Sequence, residues 1–388
     1  MPLIEDKTLY WLWYSRVFEA GSVVAERVLA HFGGSIEALY QAGREEYAEI
    51  PRLTRNALVR LCDKSLEEAR EIRAYCVNEG VGILTLDSPM YPERLKRIAT
   101  HPTVLYYKGI LTNLDREVCI AEVGTRSMTE YGSRNAYSIA YDMAKAGAVV
   151  VSGLAKGADG MAHRGALDAG GYTVAVLGCG IDRAYPPENR ALMNEIMKRG
   201  LVLTEYRPFS APLGGHFPVR NRIISGLSLA TVVVEAPARS GALITARTAL
   251  TQGRDVFALP GKIGEMNAVG TNELLREGAH IVTDVADILC EYQPLYPGKI
   301  NLNRISSIRS RKYPNPTERA AAPQPFASIG GRDAKEGEAR AGEERREGDE
   351  RLPFEYRGQE CFKTALIRGR TRARFEKPAF PQARTGRG

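Results

Sequence analysis

Two arginines and an asparagine stand side by side at Arg220, Asn221 and Arg222, shortly before the apolar run Leu229–Glu235. Such a run is typical of a buried strand, so the arginines are expected in a loop where the chain enters the core. Two guanidinium groups so close together repel each other, whereas their forked N–H groups match the oxygens of a phosphate. The segment, with Ser225 at its end, is therefore predicted to bind a polyanion.

Glycine-bearing loops follow three further apolar runs. The segments 124–126 (Gly-Thr-Arg) and 240–241 (Ser-Gly) each precede a predicted helix, whose free backbone amides attract anions. The segment 152–157, which contains Lys156, has the form of a phosphate loop but lacks the GKS/T ending of a P-loop. Any one of these loops would also fit an ordinary strand-to-helix turn. Together with the segment of Arg220 and Arg222, they make four such strand-associated segments in one domain, which favours phosphate binding.

Other side chains could suggest catalysis. Asp159 and His163 are four residues apart on a predicted helix, and Cys179 lies between two glycines. Neither a third metal ligand nor a histidine partner accompanies them in the sequence. We therefore expect Asp159 to cap its helix, His163 to pack locally and Cys179 to be a bystander. Tyr185 offers a ring on which a base could stack. No metal site and no cofactor are predicted.

The loops belong to a segment in which short apolar runs alternate with helical stretches. This alternation is typical of a parallel sheet that helices cover on both faces. Residues 118–295 are thus predicted to form a Rossmann-like, doubly wound α/β domain, which binds ligands at the carboxyl ends of its strands. The predicted strands are Val118–Val123, Ala148–Ser152, Thr173–Leu177, Leu201–Thr204, Thr231–Val234, Asp255–Ala258 and His280–Val282.

The flanking segments differ in character. Residues 1–80 have helix-like apolar spacing and predict a small helical domain of the helix-hairpin-helix or SAM-like type. Its hairpin, Ile50–Thr54, lacks the glycine of phosphate-binding hairpins, so packing and DNA binding both stay open for this domain. Residues 81–117 are predicted to be a connector with two short strands. Residues 296–388 form a charged, low-complexity tail that is expected to be disordered.

The net charge of +7 is concentrated at the end of the chain. Residues 301–388 contain 20 of the 53 Lys and Arg and 12 of the 46 Asp and Glu. Residues 1–300 therefore contain 33 basic and 34 acidic residues, a net charge of −1. Any binding of nucleic acid by the folded part must therefore rely on local clusters. No apolar run approaches the about 20 residues that span a bilayer, and the N-terminal segment lacks the basic start and long apolar core of a signal peptide, so we expect a cytoplasmic protein without membrane insertion. The six cysteines form no CxxC pair, which argues against structural zinc.

A nicotinamide enzyme is not favoured, because the GxGxxG fingerprint and the acidic residue at the end of the second strand are both missing. Several motifs instead resemble, in order over about residues 100–290, those of the DNA-processing protein A family (DprA/Smf). These motifs include Val123-Gly-Thr-Arg, Val150-Val-Ser-Gly-Leu-Ala-Lys-Gly-Ala-Asp, Phe217-Pro-Val-Arg-Asn-Arg-Ile-Ile-Ser-Gly, Ser240-Gly-Ala-Leu-Ile-Thr-Ala and Gly253-Arg-Asp-Val-Phe-Ala-Leu-Pro-Gly.

The resemblance implies a homodimer that binds and protects single-stranded DNA and loads the RecA recombinase onto incoming strands during natural transformation. It implies binding without catalytic turnover. The alternative function is a nucleotide phosphoribohydrolase of the LOG type, whose glycine-rich anion loop is similar, although no acidic residue follows Ser240 within the first turns of its helix. The residues expected along the DNA are Gly124, Thr125, Arg126, Ser152, Gly153, Lys156, Arg220, Asn221, Arg222, Ser225, Ser240 and Gly241. Tyr185 is added as a stacking ring on its own chemistry, independently of the resemblance.

Overall fold

This computed structural model describes residues 7–305, and a sheet of nine strands forms between Gly82 and Ile281. The strands are β1 (Gly82–Thr85), β2 (Val104–Gly109), β3 (Cys119–Val123), β4 (Val149–Ser152), β5 (Thr173–Val176), β6 (Leu201–Thr204), β7 (Ala230–Val233), β8 (Asp255–Ala258) and β9 (His280–Ile281). Their order across the sheet is β1-β2-β6-β5-β4-β3-β7-β8-β9. Strands β3 to β9 are mutually parallel, and β1 and β2 pair in the antiparallel sense.

The helices of the described residues fall into an N-terminal group and a group that connects the strands. They are α1 (Lys7–Val17), α2 (Val23–His31), α3 (Ile36–Gln41), α4 (Arg44–Ala48), α5 (Arg55–Cys62), α6 (Glu67–Asn78), α7 (Glu93–Lys96), α8 (Glu130–Ala146), α9 (Ala158–Asp168), α10 (Arg190–Arg199), α11 (His216–Leu227), α12 (Gly241–Thr251), α13 (Val269–Arg276) and α14 (Ala286–Tyr292). None of them is long and apolar enough to cross a bilayer.

The central strands are buried on both faces. Ile120 and Val150 point into a core beneath α8 and α9, whereas Ala121 and Val151 point into a core beneath α11 and α12. Two covered faces explain why these strands read as continuous apolar runs. The strand order reverses between β3 and β7, and this switch point is where a doubly wound sheet opens a crevice for ligands. The predicted Rossmann-like fold is confirmed.

The predicted connector is part of the sheet rather than a linker. Strand β2 pairs with β6 through Tyr106 opposite Thr204, and β1 pairs with β2. Both strands thereby extend the sheet beyond β6. The boundary predicted at residue 118 consequently divides a continuous hydrogen-bonded structure.

The N-terminal helices pack directly against this sheet. Trp11 and Leu39 share a core with Val104 of β2 and Ile196 of α10, and the whole forms one compact unit. Helices α4 and α5 flank the predicted hairpin, where Arg52 adopts a positive φ of 59°. Glycine takes this conformation more easily, so Arg52 occupies a backbone position that favours glycine.

The folded region extends beyond residue 295. Ile300 and Ile305 are buried in the core beneath α8, and the amide of Asn301 donates to the carbonyl of Ala146 at 2.8 Å. The predicted start of the tail at residue 296 is therefore too early, because these apolar residues still cover the C-terminal end of α8. The remainder of the predicted tail, 306–388, lies outside the described residues.

Candidate nucleic-acid interface

Aromatic and cationic side chains meet at the carboxyl ends of β3, β4 and β5. The guanidinium carbon of Arg126 lies 5.6 Å from the centre of the Phe217 ring, and that of Arg220 lies 5.9 Å from it. The ring of Tyr185 lies 5.3 Å from Phe217, tilted by 33°. We call these four residues the Phe217 cluster. Arg126 and Tyr185 are exposed and Phe217 is partly buried, so the cluster presents rings and charge to solvent together.

The loop that carries Arg126 is held on both sides. The amide of Thr125 donates to the carbonyl of Glu235 at the end of β7 (2.8 Å), and the carbonyl of Thr125 accepts from the amide of Ala158 (3.2 Å). Gly157 has a φ of 83°, and a side chain there would collide with the carbonyl of Thr125. Loops after β3, β4 and β7 thus interlock across the switch point, which fixes the base of Arg126.

The segment 219–226 is not a loop, as the sequence predicted, but part of α11. Ile223, Ile224 and Leu227 form the buried face of that helix, and this helical spacing outweighs the charge of the arginines. Arg220 is 3 % exposed and therefore does not lie open on the surface. The prediction of exposed arginines at this position is wrong, because the helix directs both side chains inward.

Arg220 forms the floor of the Phe217 cluster. Its Nη1 donates to the carbonyl of Gly153 (2.7 Å), which directly follows β4, and to the carbonyl of Val176, which ends β5. Burial lowers the pKa of the guanidinium, and the nearby carboxylate of Asp159 counters this effect. Asp159 in turn accepts from the amide of Gly153 (3.1 Å). The buried charge therefore ties two strand ends to α11.

Gly153 permits this arrangement because it has no side chain. A Cβ atom there would lie 2.6 Å from the guanidinium carbon of Arg220. The neighbouring hydroxyl of Ser152 is buried and donates to the carbonyl of Glu122 (2.6 Å). Both residues hold the strand end in place beneath the surface. Lys156, four residues later, is exposed, with its ammonium 4.0 Å from the carboxylate of Glu188.

Arg222 and Ser225 lie apart from the Phe217 cluster. Nη2 of Arg222 pairs with the carboxylate of Glu205 at 2.5 Å, and both side chains are buried. The Ser225 hydroxyl is fully buried and bonds to carbonyls of its own helix. Asn221 is partly buried and accepts from Nε of Arg220 at 3.2 Å. The sequence predicted one binding loop here. Because the segment is helical, its side chains instead point in different directions and contact different partners.

Ser240 and Gly241 stand at the other side of the switch point. The Ser240 hydroxyl caps α12 by accepting from the amide of Ala242 at 3.2 Å, and Gly241 is exposed. The first turn of α12 contains no acidic residue. They follow the segment of Glu235, whose carbonyl accepts from the amide of Thr125, so the loop between β7 and α12 meets the loop of Arg126 at its start.

The residues that could have suggested catalysis are packed away. His163 is fully buried, hydrogen-bonds to the Thr173 hydroxyl (2.7 Å), and burial lowers its pKa to about 3. Burial raises the pKa of the Cys179 thiol to about 11. Local packing of His163 is confirmed. Asp159 supports the preceding loop through Gly153 and Ala155, rather than capping the first turn of α9. Among the described residues, no group of three or more potential ligands could hold a metal ion.

Sequence reasoning missed two residues of this interface. Phe217 was visible only as the start of a motif, yet its position three residues before Arg220 places both on one side of a helix. Glu235 accepts from the Thr129 hydroxyl (2.5 Å) and amide (3.0 Å), and so fixes the start of α8 beside the end of β7. An acidic residue directly after a buried strand was the available signal.

Comparison with known proteins places the chain among DNA-processing proteins. The family model for DNA recombination-mediator protein A matches residues 82–293. The chain is 37% identical to Protein Smf of Synechocystis over 295 residues, 74% of this chain and 73% of the relative. It is 44% identical over 203 residues to the DNA processing protein DprA of Streptococcus pneumoniae, 52% of this chain and 71% of the relative.

Two solved structures are similar as well. One is DNA processing protein A from Streptococcus pneumoniae, at 34% identity and a TM-score of 0.65, covering 74% of this chain and 98% of that one. The other is DNA processing protein A from Helicobacter pylori, at 32% identity and a TM-score of 0.51, covering 55% of this chain and 97% of that one. The latter was described for its single-stranded DNA binding mode.

Proposed function

Because this chain belongs to the DNA recombination-mediator protein A family, we propose that it binds single-stranded DNA in the cytoplasm and loads a RecA-type recombinase onto strands taken up in natural transformation. The observation that carries the DNA-binding part is the Phe217 cluster, in which Arg126 and two aromatic rings reach the surface together. Binding occurs without chemical turnover.

The chemistry of the cluster suits a single strand better than a duplex. Arg126, together with Lys156 outside the cluster, supplies exposed cations for phosphates, and the rings of Tyr185 and Phe217 supply surfaces on which unpaired bases stack. Base stacking of this kind tolerates every base, since each base has a π-face. A duplex hides those faces within its own stack. The expected behaviour is therefore a preference for single strands with little dependence on sequence.

The buried residues of the predicted site act on this surface indirectly. Arg220 holds the ends of β4 and β5, and Gly153 and Ser152 shape the same strand end. They keep the exposed cations and rings at fixed spacing. Preorganisation of this kind lowers the entropic cost of binding. In this proposal Arg220 is a positioning residue, and Arg126 and Lys156 are the contact residues.

The proposal is tested by fluorescence anisotropy with labelled single-stranded and duplex oligonucleotides at several salt concentrations. Each phosphate contact adds about 0.7 to the slope of log affinity against log salt for a single strand. Arg126→Ala should therefore flatten the slope by about 0.7. Between 50 and 200 mM salt this makes the affinity of the variant fall about 2.6-fold less than that of the unchanged protein.

Arg199→Ala is the matched control. Arg199 is half-exposed and ends α10, just before the amino end of β6, at the edge of the sheet opposite the Phe217 cluster. Its loss should leave both the affinity and the salt slope unchanged. Equal affinity for single strands and duplexes, or equal salt slopes for Arg126→Ala and Arg199→Ala, would contradict the proposal.

We also propose that the protein acts as a homodimer. Support comes from apolar side chains exposed in the segment 263–269, where Ile263, Met266 and Val269 are 101%, 76% and 44% exposed. Exposed apolar residues grouped in one segment favour a protein contact. Sedimentation velocity should give a dimer that Ile263→Asp converts to monomer. Loading is tested by adding purified RecA to DNA covered by single-strand binding protein, where this protein should raise the rate of RecA ATP hydrolysis.

A further inference from the structure

A cleft of about 460 Å³ lies between the N-terminal helices and the sheet. We define this interdomain cleft by Gly21 in the turn between α1 and α2, His101 before β2, Glu205 after β6, and Val219 and Arg222 on α11. Its volume falls within the range of about 300–1,000 Å³ that is typical of small-molecule sites. It contains none of the exposed residues of the Phe217 cluster, so it is a separate site.

Unpartnered polar atoms gather around this cleft. Nε and Nη1 of Arg222, Oε1 of Glu205 and Nδ1 of His101 are all buried without a hydrogen-bond partner. The Arg222 side chain is 9 % exposed and uses only Nη2, toward Glu205. Orphaned buried groups are rare in folded proteins, and each one calls for an occupant such as water, an ion or a ligand. Here three residues that line one cavity each have at least one atom without a partner.

The unfilled donors of the lining favour an anion. Four arginines and two glutamates line the cleft, Arg16, Arg60, Arg207, Arg222, Glu19 and Glu205. Asp63 and Glu68 pair with Arg16 and Arg207, so an anion would be held by unfilled donors and not by an excess of charge. Arginine is the side chain best suited to bind phosphate oxygens. The Glu205 carboxylate accepts from Nη2 of Arg222, and the Nε and Nη1 donors of the same guanidinium have no acceptor.

Aromatic groups line the same cavity. The ring of His216 stacks on that of Tyr206, with centres 4.1 Å apart and planes 18° apart, and Phe18 is partly buried on the opposite, helical side. A volume several times that of a phosphate ion, edged by rings, suits a phosphate that carries a nucleobase. We propose that the interdomain cleft binds the phosphate monoester of a nucleotide, with Arg222 and His101 as donors to the phosphate.

Such a phosphate has two sources, a free nucleoside monophosphate and the 5′ end of a DNA strand. Isothermal titration of the full chain with dAMP, deoxyadenosine and inorganic phosphate measures the first. Anisotropy with 5′-phosphorylated and 5′-hydroxyl oligonucleotides of the same sequence measures the second. Binding of dAMP but not of deoxyadenosine supports a free nucleotide. A preference for the phosphorylated oligonucleotide alone supports the strand end. Absence of both effects overturns the proposal.

Two variants test the site without breaking the buried ion pair. His101→Ala removes one unpartnered donor and should weaken phosphate binding about tenfold, which is the effect of a single hydrogen bond to a charged group. Val219→Trp should fill the cleft and abolish binding. Thermal unfolding checks that both variants fold. Unchanged phosphate binding by folded Val219→Trp would also overturn the proposal.

DNA binding at the Phe217 cluster and phosphate binding in the interdomain cleft can be separated in one experiment. Arg126→Ala should weaken binding of 5′-hydroxyl single strands and leave phosphate binding in the cleft unaltered, whereas His101→Ala should do the reverse. If the Phe217 cluster does not bind DNA, only Arg126→Ala will depart from its expected result. If the interdomain cleft does not bind phosphate, only His101→Ala will do so.

Discussion

Replacement of Arg220 by alanine should cost stability far more than replacement of Arg126. The Nη1 group of Arg220 satisfies the carbonyls of Gly153 and Val176, and both acceptors are buried. Hydrogen bonds from charged groups contribute about 1.5–3 kcal/mol each. Asp159 would also lose the positive charge that offsets its own burial. The loss of a buried charged partner typically costs about 3–5 kcal/mol, and we expect that range for Arg220→Ala.

Thermal unfolding followed by circular dichroism gives the measurement. For the roughly 300 residues that the structure describes, with an unfolding entropy of about 2.1 cal/mol/K per residue, 3–5 kcal/mol corresponds to a decrease in Tm of about 5–8 °C. Arg126→Ala should stay within about 0.5 kcal/mol of the unchanged protein, because its side chain is exposed. Both variants should weaken DNA binding, the first through the shape of the surface and the second through a lost phosphate contact.

The salt dependence tells the two causes apart. Arg126→Ala should flatten the salt slope, whereas Arg220→Ala, measured below its Tm, should lose affinity to a similar extent at every salt concentration because the buried guanidinium touches no phosphate. Suppose that Arg220→Ala unfolds at the unchanged temperature and flattens the slope by about 0.7. Arg220 would then be a contact residue that turns outward, and its assignment to the floor would be wrong.

Three further results are expected. Iodoacetamide at pH 7.5 should label exposed Cys290 and spare Cys179 in the native protein, because burial raises the pKa of the Cys179 thiol to about 11; mass spectrometry of the digest checks this. Gly157→Ala should destabilise the fold by more than about 1 kcal/mol and weaken DNA binding, since the positive φ and the carbonyl of Thr125 both oppose a side chain; urea unfolding and anisotropy measure the two effects. Glu122 is buried with both carboxyl oxygens unpartnered, and burial raises its pKa well above 4.5, so the folded state keeps a proton that the unfolded state releases. The free energy of unfolding should therefore fall as the pH rises above about 4.5, and Glu122→Gln should reduce that fall in urea titrations at pH 5 and pH 8.

The sheet was predictable where local pattern and tertiary role agree. Val149–Ser152 is apolar without interruption because helices cover both of its faces, and the sequence displays that directly. Strand β2 was recognisable as extended, but its antiparallel pairing with β6 depends on contacts across about a hundred residues of chain. No local pattern encodes such a partner, so the connector could not be assigned to the sheet.

The sequence predicted where the candidate site lies, but not how deeply its arginines are buried. The loop of Arg126 follows a buried strand, and parallel topology alone brings it to the ligand-binding edge. Arg220 and Arg222 suggested an exposed loop because buried arginines are rare. The apolar residues Ile223, Ile224 and Leu227 carried the opposite signal, at helical spacing, and their burial determines which way the arginines turn.

Gly153 and Arg220 occupy one shared volume, and this has a consequence for how the protein can vary. A library that randomises position 153 alone should return almost only glycine among folded clones, because any side chain meets the guanidinium 2.6 Å from its first atom. Randomising position 220 at the same time should release position 153, with small residues at 220 permitting alanine or serine at 153. The two positions are thus expected to behave as one mutational unit, although they are separated by 67 residues along the chain.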